Sequence, residues 1–359
     1  MTSTITHKLM EKLHDSDWKW QMIHALRTPE QFAAFFNWGE DQMRKISETA
    51  AIYPMLATPF YASLAKSNDM DDPVVAQCVA NPRELEPGGE DDALGEEASS
   101  PLPRLVHRYP DRALFLTCNV CAVHCRHCMR KRLWRSPCGA PGDEELAQAV
   151  DYLRQHPQVR ELLISGGDPL LLDDMHVKRI LDAFQEVPSL EMLRIGTRTL
   201  VALPQRFTPE LCSIFENCKK TVWIATHFNH PQELSHEAAS AVRRLMAAGV
   251  SVVNQSVLLK GINDNAETLG KLFTGLLAMR IKPYYLFHGD PIQGTTCFRT
   301  GVEAGLAIME QLRNNISGMA VPTFAFDLPK GGGKVRLEPD FSAGKNRFRR
   351  FDGGTEEYK

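Results

Sequence analysis

No stretch of the 359-residue sequence strings together enough apolar residues to cross a bilayer, and nothing in residues 1–10 has the make-up of a secretory signal. These absences exclude a spanning segment and an exported fate, so a soluble cytoplasmic protein is expected. A basic excess is missing as well. The 41 Lys and Arg stand against 44 Asp and Glu, for a net charge of −3, which gives no footing for a nucleic-acid partner or a membrane surface. Nine cysteines are an odd number, so a disulfide framework is not expected either.

What is present starts at residues 118–132, where Cys121, Cys125 and Cys128 are spaced C-x3-C-x2-C directly after an apolar, strand-like run at 113–117. Three thiolates brought to one point by so short a loop suit a [4Fe-4S] cubane with three irons held and the fourth open. S-adenosylmethionine suits the open iron, because its amino and carboxylate groups chelate and its sulfonium accepts an electron, yielding a deoxyadenosyl radical. The alternative is a closed zinc site of four thiolates that includes Cys118. Paired C-x2-C zinc ligands are usually separated by a dozen or more residues, whereas three lie between Cys121 and Cys125.

With 43% hydrophobic residues, the chain is long enough for one large α/β domain with additions, or for two domains. Residues 1–71 carry Trp18, Ile23, Leu26, Phe32 and Phe35 at helical spacing and read as a helical preface. Residues 84–103 turn acidic and rich in Gly, Ser and Pro, which reads as a linker or a long surface segment. Beyond it, strand-like runs at 113–117, 161–165, 192–197, 222–226, 250–256 and 283–287 alternate with helical stretches at 143–156, 175–186, 209–217, 233–248 and 265–279. Thr208-Pro209 offers a helix start and Gly249 a helix stop, while Ala238, Val242, Leu245 and Met246 form one apolar stripe. That alternation predicts a parallel sheet, doubly wound or curved toward a barrel. In a barrel, chemistry gathers at the C-terminal strand ends. The cysteine loop, Gly166-Gly167-Asp168, Thr197-Arg198, His227, residues 254–256 and Asp290 all fall there. The basic run Arg126 to Arg132, with Arg135, sits beside the cysteines, where it could meet anionic groups.

Two glycines at 166–167 allow backbone to approach a ligand closely. The run Asp327-Leu328-Pro329-Lys330-Gly331-Gly332-Gly333-Lys334 is not a phosphate-binding P-loop, because Val335 stands where Ser or Thr is required. A lysine on a glycine run suits a Schiff base with pyridoxal phosphate, against the alternative of a surface loop.

Collected together, these motifs resemble the lysine 2,3-aminomutase family of radical S-adenosylmethionine, pyridoxal-phosphate enzymes. The likeness rests on residues 107–112, 121–132, 165–169, 226–231, 254–259, 283–285, 298–300 and 327–334, within a span of about 18–339. It implies a partial (β/α)6-type TIM barrel at 104–340, after a helical N-terminal extension and acidic linker at 1–103 and before a short tail at 341–359. By the same resemblance, Cys121, Cys125 and Cys128 hold the cluster; Lys334 holds pyridoxal phosphate, with Arg108 and Arg112 near its phosphate. Arg130 pairs with the substrate carboxylate, and Asp290 and Asp327 receive a side-chain ammonium. Gly166, Gly167, Asp168 and Gln255 lie around S-adenosylmethionine. The implied reaction moves nitrogen from carbon 2 to carbon 3 of L-lysine, fed by an electron donor such as flavodoxin or ferredoxin. Relatives supply β-lysine for an elongation factor or act on glutamate or arginine. In a different class, a zinc-stabilised α/β protein would bind without catalysis.

The chain departs from that family in three places. No cysteine follows Cys297, and Asn265 stands where an internal zinc ligand is expected, so the tail zinc site should be absent and the oligomeric state is left open. Lys330 replaces a glycine of the usual run.

Overall fold

The computed structural model describes residues 17–135 and 138–358; residues 1–16 of the expected preface and the Arg135 side chain lie outside the described residues. From Trp18 onward the preface is mostly helical. Helices α1 (Trp18–Ile23), α2 (Pro29–Phe36), α3 (Glu40–Ile52), α4 (Pro59–Ser63) and α5 (Val75–Cys78) succeed one another. Thr28 and Gln31 close a reciprocal cap ahead of Pro29, satisfying backbone donors that a helix start leaves open. Phe32 and Phe36 are buried, whereas Ile23, at the end of its short helix, is 73% exposed.

Nine strands run in strict chain order: β1 (Leu105–Tyr109), β2 (Arg112–Leu116), β3 (Glu161–Ser165), β4 (Met192–Gly196), β5 (Thr221–Thr226), β6 (Ser251–Leu258), β7 (Lys282–His288), β8 (Thr323–Leu328) and β9 (Gly333–Leu337). From β2 to β8 every pairing is parallel, whereas β1 on β2 and β9 on β8 are antiparallel. The six strands expected from sequence are present. The sheet curls into a nearly closed barrel whose edge strands meet where the Lys334 amide donates to Tyr109 Oη at 2.9 Å. Strands β1, β8 and β9 were not legible, and Lys334, expected on a glycine loop, is the second residue of β9.

Crossover helices α6 (Asp143–Gln155), α7 (Asp174–Gln185), α9 (Pro209–Glu216), α10 (His236–Ala247), α11 (Ala266–Ala278) and α12 (Val302–Asn315) surround the sheet, with the short α8 (Thr199–Ala202) after β4. Alternate strand residues, among them Ala113, Phe115, Leu162, Ile164, Leu193 and Ile195, are buried with helix residues such as Leu146, Leu181 and Leu211 in one core. The intervening ones, Leu114, Glu161, Leu163, Ser165, Arg194 and Gly196, line an interior cavity. The strands therefore alternate rather than being apolar on both sides, since only the outward face meets helices.

Helix α10 starts at His236 rather than at 233. Ser235 is its cap, and Glu233 is buried in a polar network. Met246, expected in that helix's apolar stripe, is 38% exposed. Asn265 caps α11 by accepting from the Thr268 amide at 2.8 Å.

The acidic stretch is not a solvated linker. Ala93 and Leu94 are buried, Arg108 Nη2 donates to Leu94 O at 2.5 Å, and the Lys330 amide donates to Ala93 O at 2.8 Å. Glu84 and Glu96 are buried against the basic run beside the cysteines, because that run supplies the counter-charges that make burial affordable. Residues 341–358 end in a small hairpin of β10 (Arg347–Arg349) and β11 (Thr355–Glu357).

Candidate active site

A cavity of about 490 Å³ occupies the barrel interior and its C-terminal mouth. The residues expected to hold cluster, cofactors and substrate line it: Cys121, Cys125, Cys128, Arg108, Arg112, Arg130, Gly166, Gly167, Asp168, Gln255, Asp290, Asp327 and Lys334.

The cysteine loop is framed from two sides. Thr58 N donates to Ala122 O, His124 N to Leu56 O, and Arg126 N to Gln77 O, so the helical preface holds its outer edge. On the inner edge, Asp168 N donates to Val120 O at 2.7 Å and Gly167 N to Cys118 O. A Cβ on Gly167 would stand 2.5 Å from Val120 O and 2.6 Å from Asn119 C. The close backbone approach that these glycines permit is thus made to the cysteine loop itself. The Asp168 side chain is likewise engaged within the protein. Its carboxylate accepts from Thr197 Oγ1 at 2.7 and 2.9 Å and from the amides of Arg198 at 2.8 Å and Thr199 at 2.9 Å, so it ties the loops after β3 and β4 together.

Burial, then the Asp168 charge and the neighbouring sulfurs, push the Cys121 thiol well up; burial and the Cys125 sulfur push Cys128 up to about 11. Buried thiolates at Cys121 and Cys128 call for compensating positive charge, which an iron–sulfur cluster would supply. Among the described residues, no three His, Cys, Asp or Glu side chains stand where they could hold a single metal ion. Cys118 turns away from the cavity; its Sγ lies 3.4 Å from Asp168 O, and burial raises its thiol. Cys118→Ser is therefore expected to retain iron after anaerobic reconstitution, while Cys125→Ala loses it. Iron and sulfide assays decide, and equal loss from both would make Cys118 a ligand.

Around the loop, Glu84 accepts from Arg126 Nη2 and Lys131 Nζ at 2.6 Å each, with all three side chains almost fully buried. Burial lowers Lys131 to about 8 despite Glu84. Arg130 donates to both oxygens of Glu96 through Nε, at 3.1 and 3.0 Å, and through Nη2 at 2.6 Å. Its Nη1 faces Ser165 Oγ at 3.3 Å and Gly166 O at 3.5 Å, contacts long enough to yield to a better acceptor. Glu84 and Glu96 went unnoticed in sequence, although an acidic run followed by a basic run in one chain was the available signal.

At the other end of the cavity, Lys334 faces Asp327 directly across the β8/β9 ladder, with Nζ 2.6 Å from Asp327 Oδ2 and 3.9 Å from the centroid of the Phe287 ring. Asp290 is pushed up to about 7, first by burial and next by the charge of Asp327, against Lys334 and Arg299. Arg108 has a buried Nε with no partner, and Arg112 stacks 3.7 Å from the Tyr109 ring. An orphaned guanidinium nitrogen in a cavity with a second arginine fits an anionic phosphate. Lys330, at the turn before β9, holds a left-handed φ of 55° that glycine would adopt without strain. Burial and the Arg198 charge lower His227 to about 4, so it lines the cavity as a neutral ring.

Two family models match the chain: the radical SAM superfamily over residues 115–272 and lysine-2,3-aminomutase over 309–359. L-lysine 2,3-aminomutase of Clostridium subterminale is 40% identical over 94% of this chain and 82% of that relative. Its counterpart from Bacillus subtilis (strain 168) is 41% identical over 96% of this chain and 74% of its own length. Glutamate 2,3-aminomutase of Clostridioides difficile (strain 630) is 37% identical over 92% and 79%. Likeness of that extent, on a barrel whose cavity gathers the three cysteines and the strand-borne lysine, means that the chain belongs to the lysine 2,3-aminomutase family of radical SAM proteins.

Proposed function

We propose that this protein converts L-lysine to β-lysine by moving the α-nitrogen to carbon 3. The observation that carries the reading is the Asp327–Lys334 pair: a carboxylate at that end of the cavity already receives an alkylammonium, the chain's own. Cys121, Cys125 and Cys128 would hold the [4Fe-4S] cluster, Lys334 with Arg108 and Arg112 the pyridoxal phosphate, and Gln255 with the backbone at Gly166 and Gly167 S-adenosylmethionine. When bound, these groups supply a carbon-centred radical that removes hydrogen and a conjugated ring that delocalises spin beside the migrating nitrogen.

The chain's residues then orient and select. Once Lys334 is engaged elsewhere, Asp327 is left with an unpaired charge beside Asp290, and a substrate's distal ammonium restores neutrality. Arg130, its Nε edge held by Glu96, directs Nη1 toward the cavity for the α-carboxylate. The covering segment around Leu94 shields the site from water. A glutamate side chain would bring a third carboxylate beside Asp290 and Asp327, at a cost of several kcal/mol. Arginine is cationic and is opposed only by its length.

The test is one anaerobic reaction containing lysine, arginine and glutamate with S-adenosylmethionine, pyridoxal phosphate and a low-potential reductant, its β-amino products resolved by chromatography. Lysine is expected to dominate; glutamate turned over equally well would overturn the assignment of the aspartates.

Asp290 adds a pH dependence. Its folded value of about 7 lies above the ordinary 3.8, so the native state holds an extra proton between those values, and its contribution to stability falls as pH rises through that window. A distal ammonium must displace this proton, so apparent lysine affinity is expected to rise by up to about tenfold per unit below pH 7 and level off above it. Calorimetric titration across pH should show this limb in the unaltered protein and not in Asp290→Asn.

A further inference from the structure

Arg198, in the loop after β4, has a 7% exposed side chain whose guanidinium is fixed from one side. Its Nη2 donates to Gln77 Oε1 at 2.6 Å, Glu233 Oε1 at 2.7 Å and Tyr61 Oη at 3.0 Å, and its backbone amide is held by Asp168. These partners leave Nη1 directed at the Cys125 sulfur, 2.8 Å away. The buried Nε has no partner. An arginine placed for packing alone would satisfy Nε before a sulfur; here the anchors aim one N–H at a single thiol.

We propose that Arg198 is a positioning residue for the iron–sulfur cluster, donating a charge-assisted hydrogen bond to the Cys125 thiolate and raising the cluster's reduction potential. The proposal rests on the reading of Cys121, Cys125 and Cys128 as cluster ligands. A reduced cluster carries one more negative charge than an oxidised one, so a cation beside a ligand sulfur stabilises the reduced form more, and burial keeps that difference from being screened. Arginine suits the task because it does not lose its proton. The electron comes from an external low-potential donor, dithionite in the test, and passes to the cluster, while Arg198 keeps its proton and charge. Glu233, on the far side of the guanidinium, partly offsets that charge and is the natural counter-test.

The experiment is an anaerobic redox titration of the reconstituted protein, with the reduced cluster followed by electron paramagnetic resonance. Arg198→Gln is expected to lower the reduced-to-oxidised ratio about tenfold at the potential where the unaltered cluster is half reduced, a downward shift of about 59 mV, at unchanged iron content. Arg198→Lys, which keeps the charge, should recover most of the shift. Glu233→Gln should move the midpoint upward, and it carries the test if Arg198→Gln takes up no iron. An iron-loaded Arg198→Gln with an unmoved midpoint overturns the proposal, as does an unmoved Glu233→Gln where the first variant does not load. An unaltered protein that takes up no cluster overturns the ligand reading itself.

Discussion

Gly167→Ala is expected to lower iron retention after reconstitution roughly a hundredfold, the equivalent of about 3 kcal/mol of overlap strain. The new Cβ would overlap backbone, with Val120 O at 2.5 Å and Val120 N at 2.7 Å, so no side chain can rotate aside. Relief requires moving the cysteine loop away from the Gly166-Gly167-Asp168 turn. That movement breaks the bond from Asp168 N to Val120 O and displaces Cys121, one residue further on. Gly139→Ala is the control, since its Cβ would meet nothing within 4 Å. Equal iron in the two variants would show that the loop tolerates displacement and that the turn does not set the thiol positions.

Glu84→Ala should be the most destabilising single substitution in the covering segment, by about 3–5 kcal/mol, because it strands two buried cations. Arg126 and Lys131 both rely on its carboxylate, and none of the three side chains is more than 1% exposed. Arg126 retains the Tyr53 and Pro54 carbonyls, and Lys131 those of Arg126 and Gly294, but among the described residues no second carboxylate pairs with either. Glu97→Ala, at an exposed carboxylate, should change stability by less than about 0.5 kcal/mol. Urea unfolding followed by circular dichroism distinguishes the two, and a Glu84 variant as stable as the Glu97 variant would return residues 84–103 to the status of a surface segment. Because Arg126 and Lys131 flank Cys128, the first variant should also load less iron.

The parts of this protein legible in its sequence are those set by local rules. C-x3-C-x2-C spacing limits where three sulfurs can go, and alternating strand and helix signals lead to a parallel sheet whatever the distant contacts. Thr208, expected to start a helix ahead of Pro209, accepts from the Leu211 amide within its own helix. The misread parts depend on partners far away in the chain. Residues 84–103 look solvated by composition, yet Glu84 and Glu96 find their counter-ions 42 and 34 residues later. Lys334 looks like a loop residue because glycines precede it, but pairing with β8 makes it a strand residue opposite Asp327. Gly167 and Asp168 announce a close approach without naming the surface approached. Only the folded barrel decides that it is the cysteine loop, because charge pairing, ladder pairing and backbone contact depend on spatial proximity that no short stretch of sequence encodes.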